Sequence, residues 1–214
     1  MDEEISIIDV NTRNEKIIKF FIKNKKNLII SALIIVIGLA SLYLFQEAKE
    51  RKKIKLANKF NISTINFKKN NKQITINELT YVINQNDSTY SPLALYFLLD
   101  NNLIESNTKT NEMFDELINE TNLDKEIKNL IIYKKALFNS STVKENELLQ
   151  ILSPIINSKS IWKSHALYLL AEYFYSNNEE SKAKEFFNQI LILPNSNSDI
   201  RVESQKRLNR DLSE

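Results

Sequence analysis

Residues Leu28–Phe45, LIISALIIVIGLASLYLF, run for eighteen positions without a charge, a side-chain amide or a proline. A helix rising 1.5 Å per residue makes this about 27 Å, close to the ~30 Å hydrocarbon core of a bilayer. Ser31, Gly38 and Ser41 interrupt the run only with small groups, whose hydroxyls can bond back to the helix's own carbonyls. Lys25 and Lys26 bound it on one side, Gln46, Glu47 and Lys49 on the other, and Tyr43 stands near the end, where an amphipathic ring favours the interface. A buried core helix would need a large domain on all sides, whereas 27 residues precede this run and polar sequence follows at once. The expectation is one transmembrane helix over 28–45.

The remainder is expected to fold, and to fold as helices. Hydrophobic residues make up 43% of the chain and charged residues 26%, a balance that supports a core rather than disorder. One glycine and three prolines in 214 residues leave few of the turn residues that strand-rich folds need. Asparagine, serine and lysine must therefore make the connections. The absence of cysteine excludes disulfides, thiolate metal sites and a thiol nucleophile.

Four segments are expected. Residues 1–27 open with acidic Met1–Val10 and continue as NEKIIKFFIKNKK, which places Ile17, Ile18, Phe21 and Ile22 on one stripe beside Lys16, Lys19 and Lys23. This reads as an amphipathic stretch lying on a membrane surface, or as a solvated extension of the span. The long leader, the long apolar run and the missing A-x-A-like site make the run a signal anchor rather than a cleaved signal peptide. Residues 46–72 carry nine Lys/Arg against two Glu and are expected to leave the membrane as a basic helix, free in solvent or holding anionic headgroups. Residues 73–214 carry 14 basic and 20 acidic side chains and form the folded domain. Charge does not orient the span, because residues 12–27 and 46–61 hold six positives each.

The domain repeats itself. Ala94-Leu-Tyr-Phe-Leu-Leu-Asp100 recurs 72 residues later as Ala166-Leu-Tyr-Leu-Leu-Ala-Glu172, and Leu130-Ile-Ile-Tyr-Lys-Lys-Ala136 begins another helix near the midpoint. A period of 34–36 residues with two helices per unit is the tetratricopeptide (TPR) pattern. Leu167, Leu170, Ala171, Phe174, Ala183, Phe187 and Pro194 fit it best, while Leu148 stands where the middle unit should have its second alanine. The fold class expected is all-α, a single N-terminal transmembrane helix followed by a degenerate TPR-like solenoid. Helices are expected near 47–69, 75–85, 91–104, 109–120, 123–139, 144–157, 160–176, 179–192 and 198–212. Ser91-Pro92 and Ser181 read as starts, Asn101-Asn102 and Asn177-Asn178 as stops, and Pro154 should kink or end its helix.

Catalytic chemistry lacks its parts. His165 is the only histidine and Gly38 the only glycine, so a Ser-His-Asp triad, a His-based metal site and a glycine-rich phosphate cradle are all unsupported. Asp115/Glu116 and Glu179/Glu180 read as solvated helix faces. The acidic domain, with no aromatics interleaved in a basic strand, argues against nucleic acid. No enzyme activity, cofactor or small-molecule substrate is expected.

A binding surface remains. The first helix of each TPR pair lines a concave groove, and the repeat register places His165, Tyr168, Glu172 and Tyr175 there, with Leu93, Tyr96 and Asp100 from the first unit and Tyr133 from the middle one. Tyrosine beside an acid suits extended polypeptide, because rings supply area and hydroxyls bond backbone; the alternative is that these rings only pack between repeats.

An acidic start, the basic NEKIIKFFIKNKK, one span, QEAKERKK and degenerate helical pairs together resemble the bacterial TPR-like inner-membrane family known as the ancillary SecYEG translocon subunit. The resemblance implies a cytoplasmic N-terminus and a single pass through the inner membrane. It implies a periplasmic C-terminal domain, with the Sec translocon, a membrane-anchored periplasmic chaperone or unfolded secretory chains as partners. The basic flank after the span departs from that pattern. The second expectation is a structural scaffold of an envelope complex, in cell division or outer-membrane assembly.

Overall fold

The computed structural model describes the backbone of residues 2–67 and 71–212 and the side chains of residues 15–67 and 71–212. Among the described residues all regular structure is helical: α1 (Asp2–Ile65), α2 (Lys72–Ile83), α3 (Tyr90–Asp100), α4 (Asn107–Glu120), α5 (Lys125–Asn139), α6 (Glu145–Ile156), α7 (Lys163–Ser176), α8 (Glu180–Ile192) and α9 (Ser198–Arg210). The chain divides into two compact units, Met1–Lys55 and Leu56–Glu214.

The first unit is helix alone. With no proline before Pro92 and Gly38 as the lone glycine, nothing stops the helix, and i,i+4 pairs Glu15–Lys19 (3.5 Å) and Glu47–Arg51 (2.8 Å) brace its polar ends. The amphipathic, apolar and basic stretches that the sequence separates thus belong to one 64-residue helix. The side chains of the acidic Met1–Val10 stretch lie outside the described residues. Every large apolar side chain from Ile29 to Phe45 is exposed, from 46% at Ile30 to 72% at Phe45, and so are Ile17, Ile18, Phe21 and Ile22. Ser41 donates its hydroxyl to the Ile37 carbonyl at 2.8 Å, so its polar group is satisfied within the helix. By length and composition α1 can cross a membrane, and none of its apolar window is buried against the protein.

The second unit takes in the end of α1 and all of α2–α9. Its core begins at Leu56, which is buried with Leu79, Leu95 and Phe114. The even helices start at residues 72, 107, 145 and 180 and the odd ones at 90, 125, 163 and 198, so both series advance by 35, 38 and 35 residues. The same step governs burial. Thr75, Thr110, Leu148 and Ala183 occupy one position of the even helices, Leu79, Phe114, Leu152 and Phe187 the next, and Val82, Leu117, Ile155 and Ile190 the third; none exceeds 4% exposure. The spacing i, i+4, i+7 makes these one helical stripe, and each large side chain in it contributes about 1.5–3 kcal/mol by burial. Consecutive helices from α2 to α9 pack on one another, and α7 also touches α5 and α9. Polar ties follow the period: Lys72–Glu105, Asn86–Thr121, Glu126–Ser160, Glu145–Lys182, Ser164–Asn197 and Glu172–Arg207 are 33 to 37 residues apart.

Asparagine does the work of glycine at helix ends. Asn102 (φ 50°) and Asn178 (φ 61°) take the left-handed conformation after α3 and α7. Behind them Leu103 N–H reaches Leu98 O and Glu179 N–H reaches Phe174 O, each at 2.9 Å, which closes a Schellman motif. The Asn-Asn stops expected from the sequence are these motifs. The expected starts are corrected by one or two residues. Asp87 Oδ1 accepts from Thr89 N–H (2.9 Å) and Tyr90 N–H (2.8 Å) ahead of α3, while the Ser91 hydroxyl donates to the Val82 carbonyl and ties α3 to α2. Ser181 lies inside α8, which begins at Glu180. Pro154 falls in the last turn of α6, and the Gln150 carbonyl that loses its amide partner accepts from the Ser153 hydroxyl at 3.0 Å.

Candidate protein-binding face

The face expected to bind is carried by α3, α5 and α7, and the structure divides it into three groups. On α3, Tyr96 is half-buried; its hydroxyl is enclosed without a hydrogen-bond partner, and burial pushes its pKa upward. Lys134 Nζ of α5 lies 4.6 Å from its ring centroid, a cation–π contact. Leu93 and Asp100 stand exposed at the two ends of the same helix.

The second group joins α5 to the start of α7. The Tyr133 ring stacks on Trp162 with centroids 6.0 Å apart and planes 19° apart, and His165 meets both rings, at 5.9 Å and 5.2 Å. All three are half-buried. Burial raises the Tyr133 pKa and lowers that of His165, whose Nδ1 is enclosed without a partner. His165 therefore favours its neutral form. Glu126 anchors the turn beneath this group, accepting from the Ser160 hydroxyl (2.7 Å) and the Ile161 N–H (3.2 Å).

The third group is organised by α9, whose side chains the sequence reading did not assign to the face. Arg207 Nε donates to Glu172 Oε1 at 2.7 Å, its Nη2 to Glu172 Oε2, and its Nη1 to Asp211 Oδ2 at 2.7 Å. Its guanidinium also lies 5.0 Å from the Tyr175 ring centroid. The two carboxylates raise the pKa of Arg207 above the ordinary arginine value. Tyr168 packs edge-on to Phe187 at 5.6 Å, and its pKa is raised by burial first and by the Glu172 charge second.

The structure thus brings Tyr133 to His165, brings Tyr168, Glu172 and Tyr175 to Arg207, and leaves Tyr96 beside Lys134. Trp162, Lys134 and Arg207 are the members that sequence reasoning missed. Trp162 was legible, being the only tryptophan and three residues before His165. Arg207 carried a fainter signal, its place 35 residues after Glu172. Among the described residues no three His, Cys, Asp or Glu side chains form a metal-binding group. What the face offers chemically is ring area, a neutral imidazole and fixed charges, the components of polypeptide recognition. Comparison with protein-family models, with curated proteins and with solved structures finds no match for the chain.

Proposed function

We propose that the protein is a single-pass membrane protein whose TPR-like domain is a protein-interaction module. The observation that carries this reading is the shared step of 35, 38 and 35 residues in both helix series, with one buried stripe repeated through all four even helices. The odd helices α5 and α7 carry Tyr133, Trp162 and His165 as one aromatic cluster, which supports a binding role for that face. Helical repeats of this period use that surface to hold peptides. The exposed apolar run of α1 supplies the anchor.

The resemblance in layout gives this module a place: the inner membrane, with the domain in the periplasm, beside the Sec translocon and a membrane-anchored chaperone, assisting chains as they emerge. The test is a photo-crosslinking amino acid at Tyr133 or Trp162 in the full-length protein in cells. Adducts with translocon subunits, a periplasmic chaperone or secretory chains support the reading. Adducts confined to cell-division or outer-membrane assembly proteins make the domain a scaffold, and the translocon assignment fails.

A further inference from the structure

Helix α7 begins against the local rule of its own series. The residues just before the four odd helices are Thr89, Asp124, Trp162 and Asn197, and the Asp124 and Asn197 side chains accept N–H bonds from the first turns of α5 and α9. An indole accepts none, so α7 forgoes a side-chain cap and carries the chain's only tryptophan at that position. The turn is nonetheless held firmly. The Ser160 hydroxyl accepts from the Trp162 N–H at 3.1 Å while it donates to Glu126, whose carboxylate also takes the Ile161 N–H. A local rule broken within a rigid turn marks a functional position.

The polar atoms of the Tyr133–Trp162–His165 cluster lack partners. Among the described residues the Trp162 Nε1–H, the Tyr133 hydroxyl and both His165 ring nitrogens make no hydrogen bond. Only His165 Nδ1 is enclosed, so the other three open to solvent. A proton on Nδ1 would have no acceptor, which assigns the proton of the neutral ring to Nε2. The ring faces are open as well. Lys134 covers Tyr96 and Arg207 covers Tyr175, whereas among the described residues no cation lies over Tyr133 or Trp162.

We infer that this cluster holds proline-rich segments in the polyproline II conformation. The inference names the class of polypeptide for the binding face proposed above, and it rests on that reading. The open tips are an indole N–H, an imidazole N–H and a phenol, so the surface is rich in donors. A proline-rich backbone is its complement, with carbonyls that no internal bond uses and no N–H of its own. Flat aromatic faces suit the pyrrolidine ring, and Ile161, 65% exposed, adds apolar area next to Trp162 in the chain. Charge does not compete for the site, because the imidazole favours its neutral form and Glu126 is already engaged by the turn. A ligand that is extended before it binds loses little freedom on a rigid surface of this kind.

Trp162 is also the reporter, because as the only tryptophan it supplies all the indole emission of the full-length protein in detergent. Titration with decaproline should change that emission saturably, and a glycine-serine decapeptide at the same concentrations should not. Tyr133→Phe removes a hydroxyl that no protein group uses and should raise the dissociation constant for decaproline by about threefold or more. Adding His165→Phe, which keeps a ring and removes a second donor, should bring the loss to about tenfold, with the helical circular-dichroism signal unchanged. No saturable change with decaproline, an equal change with the glycine-serine peptide, or a dissociation constant indifferent to both substitutions would each overturn the inference. A decapeptide of alternating leucine and serine separates the two failures. If it binds where decaproline does not, the polypeptide-binding face stands and the proline preference falls; if neither binds, both fall.

Discussion

Arg207 on α9 grips Glu172 on α7 through Nε and Nη2, one edge of its guanidinium, from a position 35 residues further along the chain. The pair spans one repeat, so a single interaction docks the last helix, orders Tyr175 beneath the guanidinium and fixes the carboxylate that neighbours Tyr168. A planar fork meeting a carboxylate is stronger and more directional than a point charge.

Arg207→Met should therefore lower the unfolding free energy of the domain by about 1.5–3 kcal/mol, the range for hydrogen bonds to charged groups. Arg207→Lys, which keeps the charge and loses the fork, should recover less than half of it. Urea unfolding of the detergent-solubilised chain, followed by circular dichroism, reads both; an unchanged midpoint in Arg207→Met would show that α9 docks without this pair.

Two groups make stability fall with falling pH, because folding favours the deprotonated form of each. Asp211 is held well below the usual carboxylate range by hydrogen bonds from Arg210 first and Arg207 second. Its contribution is complete above the unfolded-state carboxyl pKa, near 4, and fades as the pH falls from there toward the lowered value. His165 has its pKa lowered by burial, so below about 6.5 the unfolded chain takes up a proton that the folded chain refuses. Stability should therefore fall from pH 6.5 down to the folded pKa of His165 and level off below it. His165→Asn should flatten that step and leave the one below pH 4, as thermal melts between pH 3 and pH 8 would show.

Left-handed asparagines replace glycine at the ends of α3 and α7. A Cβ without a local polar group is strained there by about 1–2 kcal/mol. Asn102→Ala and Asn178→Ala should each destabilise by about 1 kcal/mol, whereas Asn102→Gly and Asn178→Gly should be close to neutral. Equal melting temperatures for the alanine and glycine variants would contradict the assignment.

The repeat register predicts different costs for one kind of change at equivalent sites. Leu148 and Ala183 hold the same position, both fully buried. Leu148→Ala should open a cavity costing about 2–5 kcal/mol, while Ala183→Leu should overpack a site built for a methyl group and cost about 1–3 kcal/mol. Denaturant midpoints of the two variants read these costs directly.

The helices of the domain were legible because their signals are local. The i, i+4, i+7 stripe of Leu79, Phe114, Leu152 and Phe187 with their neighbours, and the Asn-Asn stops, are written within single turns. The 72-residue echo between Ala94–Asp100 and Ala166–Glu172 lies within one residue of the 73-residue step from the start of α3 at 90 to that of α7 at 163. Helix starts were less legible, because Ser91 spends its hydroxyl on Val82 across a helix pair while Asp87, outside the helix, supplies the cap. The continuity of α1 was hidden by composition: acidic, amphipathic, apolar and basic stretches look like four segments, yet nothing between residues 2 and 65 breaks a helix.

The face was legible in part. Tyrosine spacing found Tyr133, Tyr168 and Tyr175, but their surroundings depend on chain far away in sequence. Trp162 comes from the turn before α7 and Arg207 from α9, and neither position announces where its side chain reaches.

The proposal that α1 holds the domain outside the cytoplasm is tested most directly by protease protection in intact spheroplasts. With an antibody to the C-terminal end, digestion of the 56–214 unit by externally added protease is the predicted result. Survival of that unit until the membrane is lysed would place it in the cytoplasm and contradict the account.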